Sequence, residues 1–316
     1  MGYSSFISVQ PKISMSILQK GYDTLSKKAA SDLKGDAVSK LLEDLILESL
    51  KFLEEKCKRL ELTSSVSDKQ YCAFQIKGNT SNFSRPVNSG LFDATLTRRL
   101  LKRLTNADLR TIDANDRARA LYTAAISYPS ATDILKKDDR KTPSKFFEDL
   151  VGHLVSKALA VNPEKKIKVL AEVAPLIPGQ DSPKPEQTLP TDFVFDLGPN
   201  KSRIHLPVKM STRERVIQVW AHQRVLDGVY GINRFKGILV CLTETNMKRK
   251  DMSVVEVCLP DQWAIYQMFI AQLFRIYYFD PPVAYAPLAN RYPFIQVKHF
   301  SSFFDELEKA STGLEG

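Results

Sequence analysis

Apolar residues recur at intervals near three and four over residues 12–62, where Val38, Leu41, Leu42, Leu45, Leu53 and Leu60 are separated by Glu and Lys. That period puts them on one face of a helix, so the segment is predicted helical, with Gly35-Asp36 as the start of a new helix. Tyr71–Ile76 is short and apolar and predicts a strand, and Asn79–Gly90, rich in Ser, Asn and Gly, predicts a loop. Residues 95–126 are predicted helical again and carry Arg98, Arg99, Lys102, Arg103, Arg110, Arg117 and Arg119, a charge run that reads as a solvated helix face. Thr142-Pro143-Ser144 starts a further helix: Thr142 or Ser144 is a suitable cap and Pro143 fits the first turn. Phe146, Phe147, Leu150, Leu154 and Leu159 supply its apolar face, with Glu148 among them.

Residues 166–174 are predicted extended, and 176–190, with four prolines, a loop. The pattern then changes. Asp192-Phe-Val-Phe-Asp196 alternates as a strand does, Gly198-Pro199-Asn200 is a turn, and Arg203–Lys209 returns as a second strand, so the two predict a hairpin. Ser211 or Thr212 would cap a helix reaching about residue 228. Phe235–Leu242 and Val254–Cys258 predict two more strands, and Pro260-Asp261 opens a helix to about residue 276. The sum is a mixed α/β core behind a mainly helical N-terminal region, divided as residues 1–125 and 126–316. No internal repeat appears.

With 316 residues, 43% of them hydrophobic, the chain buries a substantial core in one large domain or two smaller ones. Its 45 Lys and Arg against 36 Asp and Glu suit a polyanionic partner such as nucleic acid, without requiring one. Cys57, Cys72, Cys241 and Cys258 form no CxxC pair, and no His stands at zinc-finger spacing, so reduced, mostly buried thiols of a cytoplasmic protein are expected. The first residues lack the charged and apolar regions of a secretion signal. The longest apolar stretch, Trp263–Phe274, is broken by Gln267 and Gln272 and is too short to span a bilayer, so no membrane partner is expected.

The candidate chemistry lies at the predicted hairpin. Phosphodiester hydrolysis needs a water nucleophile, charge stabilisation at phosphorus and neutralisation of the leaving 3′ oxygen. A divalent ion held by one or two carboxylates provides much of this. Asp192 is a candidate ligand. Lys209 is a candidate for orienting the water and offsetting phosphate charge. The hairpin brings together two side chains that lie 17 residues apart. Arg213, Glu214 and Arg215 follow in the first turn of the next helix. Arginine donates two hydrogen bonds to guanine, and glutamate accepts from cytosine, so the trio suits base reading. The alternative is a capped helix start with a surface ion pair.

Pro-Thr-Asp192, followed by Val-Lys209-Met-Ser-Thr-Arg-Glu-Arg215, resembles the PD-(D/E)XK type II restriction endonucleases, most of all the branch that includes EcoRII, PspGI and SsoII, with NgoMIV more distant. The resemblance covers residues 142–228. It implies a restriction-endonuclease-like mixed sheet flanked by helices, Asp192 as metal ligand, Lys209 as catalytic lysine, Arg213 and Glu214 as readers of CC/GG pairs, and Arg215 as a base or phosphate contact. It also matches Glu148 to a glutamate on the helix before the aspartate, a second metal carboxylate. The chain departs from the pattern downstream. Relatives carry another acid about thirteen residues after the lysine, where this sequence has His222 and then Gln223, candidates for contact with a metal water. Asp196 and Glu172 are rival carboxylates.

The expected protein is therefore a Mg2+-dependent, site-specific double-strand DNA endonuclease, a homodimer on a palindromic site, paired functionally with a cognate DNA methyltransferase. The alternatives are a DNA-binding protein of the same fold with a dead site, and a monomeric repair or nicking nuclease.

Overall fold

The computed structural model of the chain describes residues 10–66, 68–78, 82–136, 139, 141–169, 188–212 and 216–311. Two helices, α1 (Gln10–Ser31) and α2 (Asp36–Lys56), meet at Gly35, the extended residue before α2. The chain then turns to strand: β1 (Cys57–Ser64) and β2 (Tyr71–Ile76) form an antiparallel hairpin, and β3 (Val87–Asn88) pairs with β2. Helices α3 (Ala94–Thr105) and α4 (Ala114–Leu135) follow, capped by Asp93 and Asp113. The helical segment over 12–62 divides at Gly35 as expected, but residues 57–62 are strand, and the one predicted over 95–126 is broken between Thr105 and Ala114. Arg98, Arg103, Arg117 and Arg119 are engaged rather than merely solvated, in ion pairs with Glu54, Asp108, Asp305 and Asp93.

Helix α5 (Lys141–Leu159) leads to the main sheet. Its first turn is held by Asp139, which accepts from the Thr142 amide and hydroxyl at 3.0 and 2.6 Å; Asp139, not Thr142 or Ser144, does the capping. Strands β4 (Glu164–Ile167), β5 (Leu189–Phe195) and β6 (Arg203–Leu206) run antiparallel in turn. The β5–β6 turn contains Gly198 at φ 100° and Asn200 at φ 62°, left-handed positions that Gly and Asn tolerate. Pro207 then interrupts the predicted second strand. It has no N–H, so the ladder to β5 stops at Phe193–Leu206, and the chain resumes as β7 (Val208–Lys209) beside β8 (Phe235–Cys241).

Strand β8 runs parallel to β6, β7 and β11 (Arg275–Tyr278), with β12 (Val297–His299) beyond. Helices α6 (Val216–Tyr230) and α7 (Pro260–Phe269) lie between these strands, and the short α8 (Leu288–Arg291) and terminal α9 (Phe303–Ser311) complete the chain. Helix α7 stops at Phe269, earlier than predicted. Gln267 is buried there and exchanges hydrogen bonds with the Leu273 backbone. Burial on both faces of the sheet explains why Phe193, Val194 and Phe195 are all buried, rather than alternating. On one side, Phe193, Phe195, Val208 and Val240 join the large cluster that includes Phe146, Phe147 and the α1–α4 core. On the other, Leu239 and Cys241 pack with Trp220, Trp263, Tyr278 and Tyr285.

The predicted strand at 254–258 is β10 (Ser253–Glu256). It pairs with β9 (Thr245–Lys248) and, in parallel, with β1, giving a second sheet in the order β3-β2-β1-β10-β9. The boundary at residues 125/126 falls inside α4. Among the described residues no helix is long and apolar enough to cross a membrane, and the four cysteines are free thiols.

Candidate active site

The break at Pro207 builds the site. Beyond it β7 no longer pairs with β5, and the Val208 amide donates instead to Asp192 Oδ2 at 2.8 Å. Lys209 Nζ donates to the same oxygen at 2.7 Å. Both side chains are only about a quarter exposed (28% and 21%), so the pair is partly shielded yet open to a ligand. Asp192 Oδ1 has no hydrogen-bond partner among the described residues.

Helix α5 supplies the opposing wall. Glu148 accepts from Lys145 Nζ through Oε2 at 2.9 Å, and Lys145 also lies 3.0 Å from Asp149 Oδ1. Burial raises the Glu148 pKa; Lys145 opposes the rise, and the charge of Asp192 adds to it, which places the two carboxylates within electrostatic reach. Lys165 on β4 joins the group. Burial lowers its pKa, assisted by Lys145, while Asp149, Glu148 and Asp192 pull it up. The sequence reading missed Lys145, Asp149 and Lys165. The spacing Lys145-x-x-Glu148 at i,i+3 was the available signal for the first pair; nothing local marks Lys165.

His222 and Gln223 separate. His222 is half-buried on α6, and burial, then the Lys209 charge, lowers its pKa while Asp192 opposes, so its imidazole is neutral at pH 7 and faces the Asp192–Lys209 pair electrostatically. Gln223 is buried and committed elsewhere. Its Oε1 lies 3.1 Å from His205 Nδ1, and its Nε2 donates to Asp227 and to the Phe235 carbonyl, both at 2.9 Å. These bonds tie α6 to β6 and β8 and leave the Gln223 amide nothing for a metal water.

Asp196 lies past the end of β5, about 13 Å along the strand from Asp192 at the usual rise. It accepts from the Gly198 amide and Arg203, so it holds the turn and is not gathered with Lys209. Arg213, Glu214, Arg215 and Glu172 lie outside the described residues. The chain just before the trio is anchored by Glu244, which accepts from the Thr212 amide and hydroxyl at 2.8 and 2.7 Å, and from Tyr278 at 2.8 Å.

Among the described residues no group of three or more His, Cys, Asp or Glu is gathered to hold a metal ion. Asp192 and Glu148 fit a different kind of site. Each carboxylate has one oxygen tied by a lysine and the other without a hydrogen bond among the described residues. Two such oxygens suit a hydrated Mg2+, which takes one or two carboxylates and retains waters.

One solved structure superposes on nearly the whole chain: the type IIP restriction endonuclease Kpn2I, with TM-score 0.74 over 93% of this chain and 97% of that one, at 22% identity. The chain has the fold of a restriction endonuclease. The restriction endonuclease PspGI, solved with substrate DNA, aligns with 62% of this chain and 72% of its own at 15% identity, but its TM-score of 0.37 is too low to carry an argument. No family model and no curated protein sequence matches the chain. In the restriction-endonuclease fold, the expected mixed sheet flanked by helices is present, with Asp192 and Lys209 adjacent on it.

Proposed function

We propose that the chain is a divalent-metal-dependent type II restriction endonuclease that hydrolyses phosphodiester bonds in double-stranded DNA at a defined sequence. The observation that carries this reading is the Asp192–Lys209 pair at the Pro207 break, with Glu148 within electrostatic reach, on a fold shared with Kpn2I. Asp192 Oδ1 and Glu148 are the oxygens that would hold Mg2+. The ion would supply positive charge to the scissile phosphate and a hydrated source of water. Lys209, fixed by Asp192, points an ammonium into the same space. It orients the attacking water and offsets charge at phosphorus as the new P–O bond forms and the bond to the 3′ oxygen breaks; the attacking water gives up a proton to bulk water, and the departing 3′ oxygen takes one from solvent water. His222, neutral, is a hydrogen-bonding partner for water at the position where an acid was expected.

Arg213 and Glu214 are the proposed readers of CC/GG pairs, with Arg215 as a base or phosphate contact. A palindromic site calls for two-fold symmetry and one active site per strand, hence a homodimer. A cognate DNA methyltransferase is the functional partner that would protect the same site in host DNA. The division into an N-terminal region, 1–125, that contributes DNA or dimer contacts and a nuclease core, 126–316, belongs to the same proposal.

His222 in place of an acid favours one second reading: a site-specific DNA-binding protein with weakened chemistry. Digestion of unmethylated phage DNA with Mg2+, beside an EDTA control, separates the two. Discrete fragments that vanish in EDTA support the endonuclease, and sequencing their ends gives the site. A gel shift without cutting supports the binding protein. Neither cutting nor shifting overturns both.

A further inference from the structure

A groove of about 410 Å³ opens beside Lys209, and its far wall comes from the second sheet. Met210 and Ser211, directly following the lysine, line it together with Asn246 and Arg249 from the second sheet and with Arg85, Ser144, Asp133 and Asp139. The connection between the lysine and the second sheet is short and rigid. The Leu242 amide donates to the Lys209 carbonyl at 3.1 Å, and the Thr243 amide to the Met210 carbonyl at 3.2 Å. From Thr245 the same chain enters β9 and the β9–β10 hairpin.

Asp251 and Met252 complete the turn of the β9–β10 hairpin, whose basic residues are Lys248 at the end of β9, then Arg249 and Lys250. All three side chains are exposed, and none holds an ion pair among the described residues. Of the acids nearby, Asp133 is paired with Arg85 at 2.7 Å and Asp139 with Lys136 at 2.8 Å; Asp251, in the turn itself, accepts from the Ser253 hydroxyl at 2.7 Å and offsets part of the Lys248 charge. Three lysine and arginine heads at a tight turn repel one another, and Asp251 balances at most one of them. Positive charge stays in excess there, beside a groove lined by Met210, the residue that follows the candidate catalytic lysine.

The hairpin is also firmly held. Strand β10 pairs in parallel with β1 through Thr63–Ser253 and Ser64–Val254. Lys69 fastens the base, donating to Glu256 at 3.0 Å and Asp280 at 2.8 Å. A basic loop on a rigid support keeps its charges in register with a rigid polyanion at little entropic cost.

We propose that the β9–β10 hairpin is a second DNA-contacting element. Lys248, Arg249 and Lys250 meet phosphates of the duplex whose scissile bond lies at Asp192–Lys209, and so set its orientation in the groove. This rests on the endonuclease reading and adds a place to it. Phosphate contacts of this kind release counterions, and each steepens the salt dependence of binding by about 0.9 in log K against log salt.

The test is duplex binding with Ca2+ replacing Mg2+, measured over a range of NaCl, for the unsubstituted protein and for the triple variant Lys248→Gln, Arg249→Gln, Lys250→Gln. The slope should fall by about 2–3 in the triple variant. A control that removes the same charge elsewhere, Lys201→Gln, Arg234→Gln, Arg291→Gln, at exposed positions outside residues 1–125 and outside the groove lining, should keep its slope. Unchanged unfolding midpoints show that both variants remain folded. A triple-hairpin variant with the parental slope, or a control that loses as much, overturns the assignment while leaving the endonuclease reading intact. Failure of the unsubstituted protein to bind any duplex overturns that reading and this one together.

Discussion

Lys209 and Asp192 meet through a single oxygen: the ammonium donates to Oδ2 across 2.7 Å, the same oxygen that accepts the Val208 amide, while Oδ1 has no hydrogen bond among the described residues. The lysine therefore aims the carboxylate without consuming it, and the carboxylate in turn aims the lysine. Removing either should have different consequences for folding and for chemistry.

Lys209→Ala should cut DNA about 10²–10⁴-fold more slowly, the usual range for a group that positions or transfers a proton. Binding should persist, because Val208 still fixes Asp192. A partly exposed pair of this kind contributes about 0–1 kcal/mol to stability, so the variant should unfold near the parental midpoint. Single-turnover cleavage with a parallel gel shift checks this. Unchanged cleavage would remove Lys209 from the site.

Glu148→Gln tests the second carboxylate. The amide keeps the shape and loses the charge, so half-maximal cleavage should require about 10–100-fold more Mg2+. A Mg2+ titration at fixed DNA reads the shift directly. A curve that overlays the parent would leave Glu148 as no more than a partner for Lys145.

Gly152 on α5 packs against the Phe193 ring of β5. A Cβ there would lie 2.5 Å from Phe193 Cζ and 2.8 Å from Leu33 Cδ2, so only glycine allows the approach. Gly152→Ala should cost about 1–3 kcal/mol in urea unfolding. Phe193 is next to Asp192, so cleavage per folded molecule should fall too. Parental stability in the variant would mean that α5 does not press on the strand.

The hairpin that carries Asp192 was legible because its signals are local: Phe193 and Phe195 in alternation, Gly198-Pro199-Asn200 at the turn, and apolar residues on the return. Tyr71–Ile76 and the Gly35 helix start were legible for the same reason. Cys57–Ser64 was not. Leu60, seven residues after Leu53, continues the helical spacing of α2, and only the pairing with β2 makes the segment a strand. Pro207 was read as part of a strand, yet its missing N–H is what releases Val208 to Asp192. Gln223 was read as a site residue from its distance along the chain, and the bonds it makes to His205, Asp227 and Phe235 come from elements the sequence does not place beside it. Lys145, Asp149 and Lys165 gather for the same non-local reason.

His205 gives a pH signature. It is 1% exposed, and burial depresses its pKa to about 4 while the bond to Gln223 opposes. Between about pH 6.5 and 4 the unfolded chain binds this proton and the folded chain does not. Its contribution to stability is therefore present above 6.5 and lost as pH falls, by about 1.4 kcal/mol per unit. His205→Gln should flatten the decline in unfolding free energy between pH 7 and 5 by roughly that slope. His299, also depressed to about 4 by burial, keeps its own share in the variant. An identical pH dependence in parent and variant would mean that the buried ring takes up its proton without unfolding.

His153 sits in the middle of α5, one residue past the glycine at the strand contact. Its Nδ1 lies 2.6 Å from the Leu33 carbonyl and its Nε2 2.7 Å from the Thr105 carbonyl and 3.1 Å from Ser39 Oγ. The ring thus sits where the ends of α1 and α3 and the start of α2 meet the helix that presents Glu148, and, neutral, it donates to one of the two carbonyls at a time. A cut at residue 125 would divide α4 and bare that polar socket together with the apolar face around it. Segments that pass intact between unrelated proteins need a seam that can be opened without exposing such a face. Here the early helices and the helix that presents Glu148 lack one, so the two can be separated only by exposing their shared core.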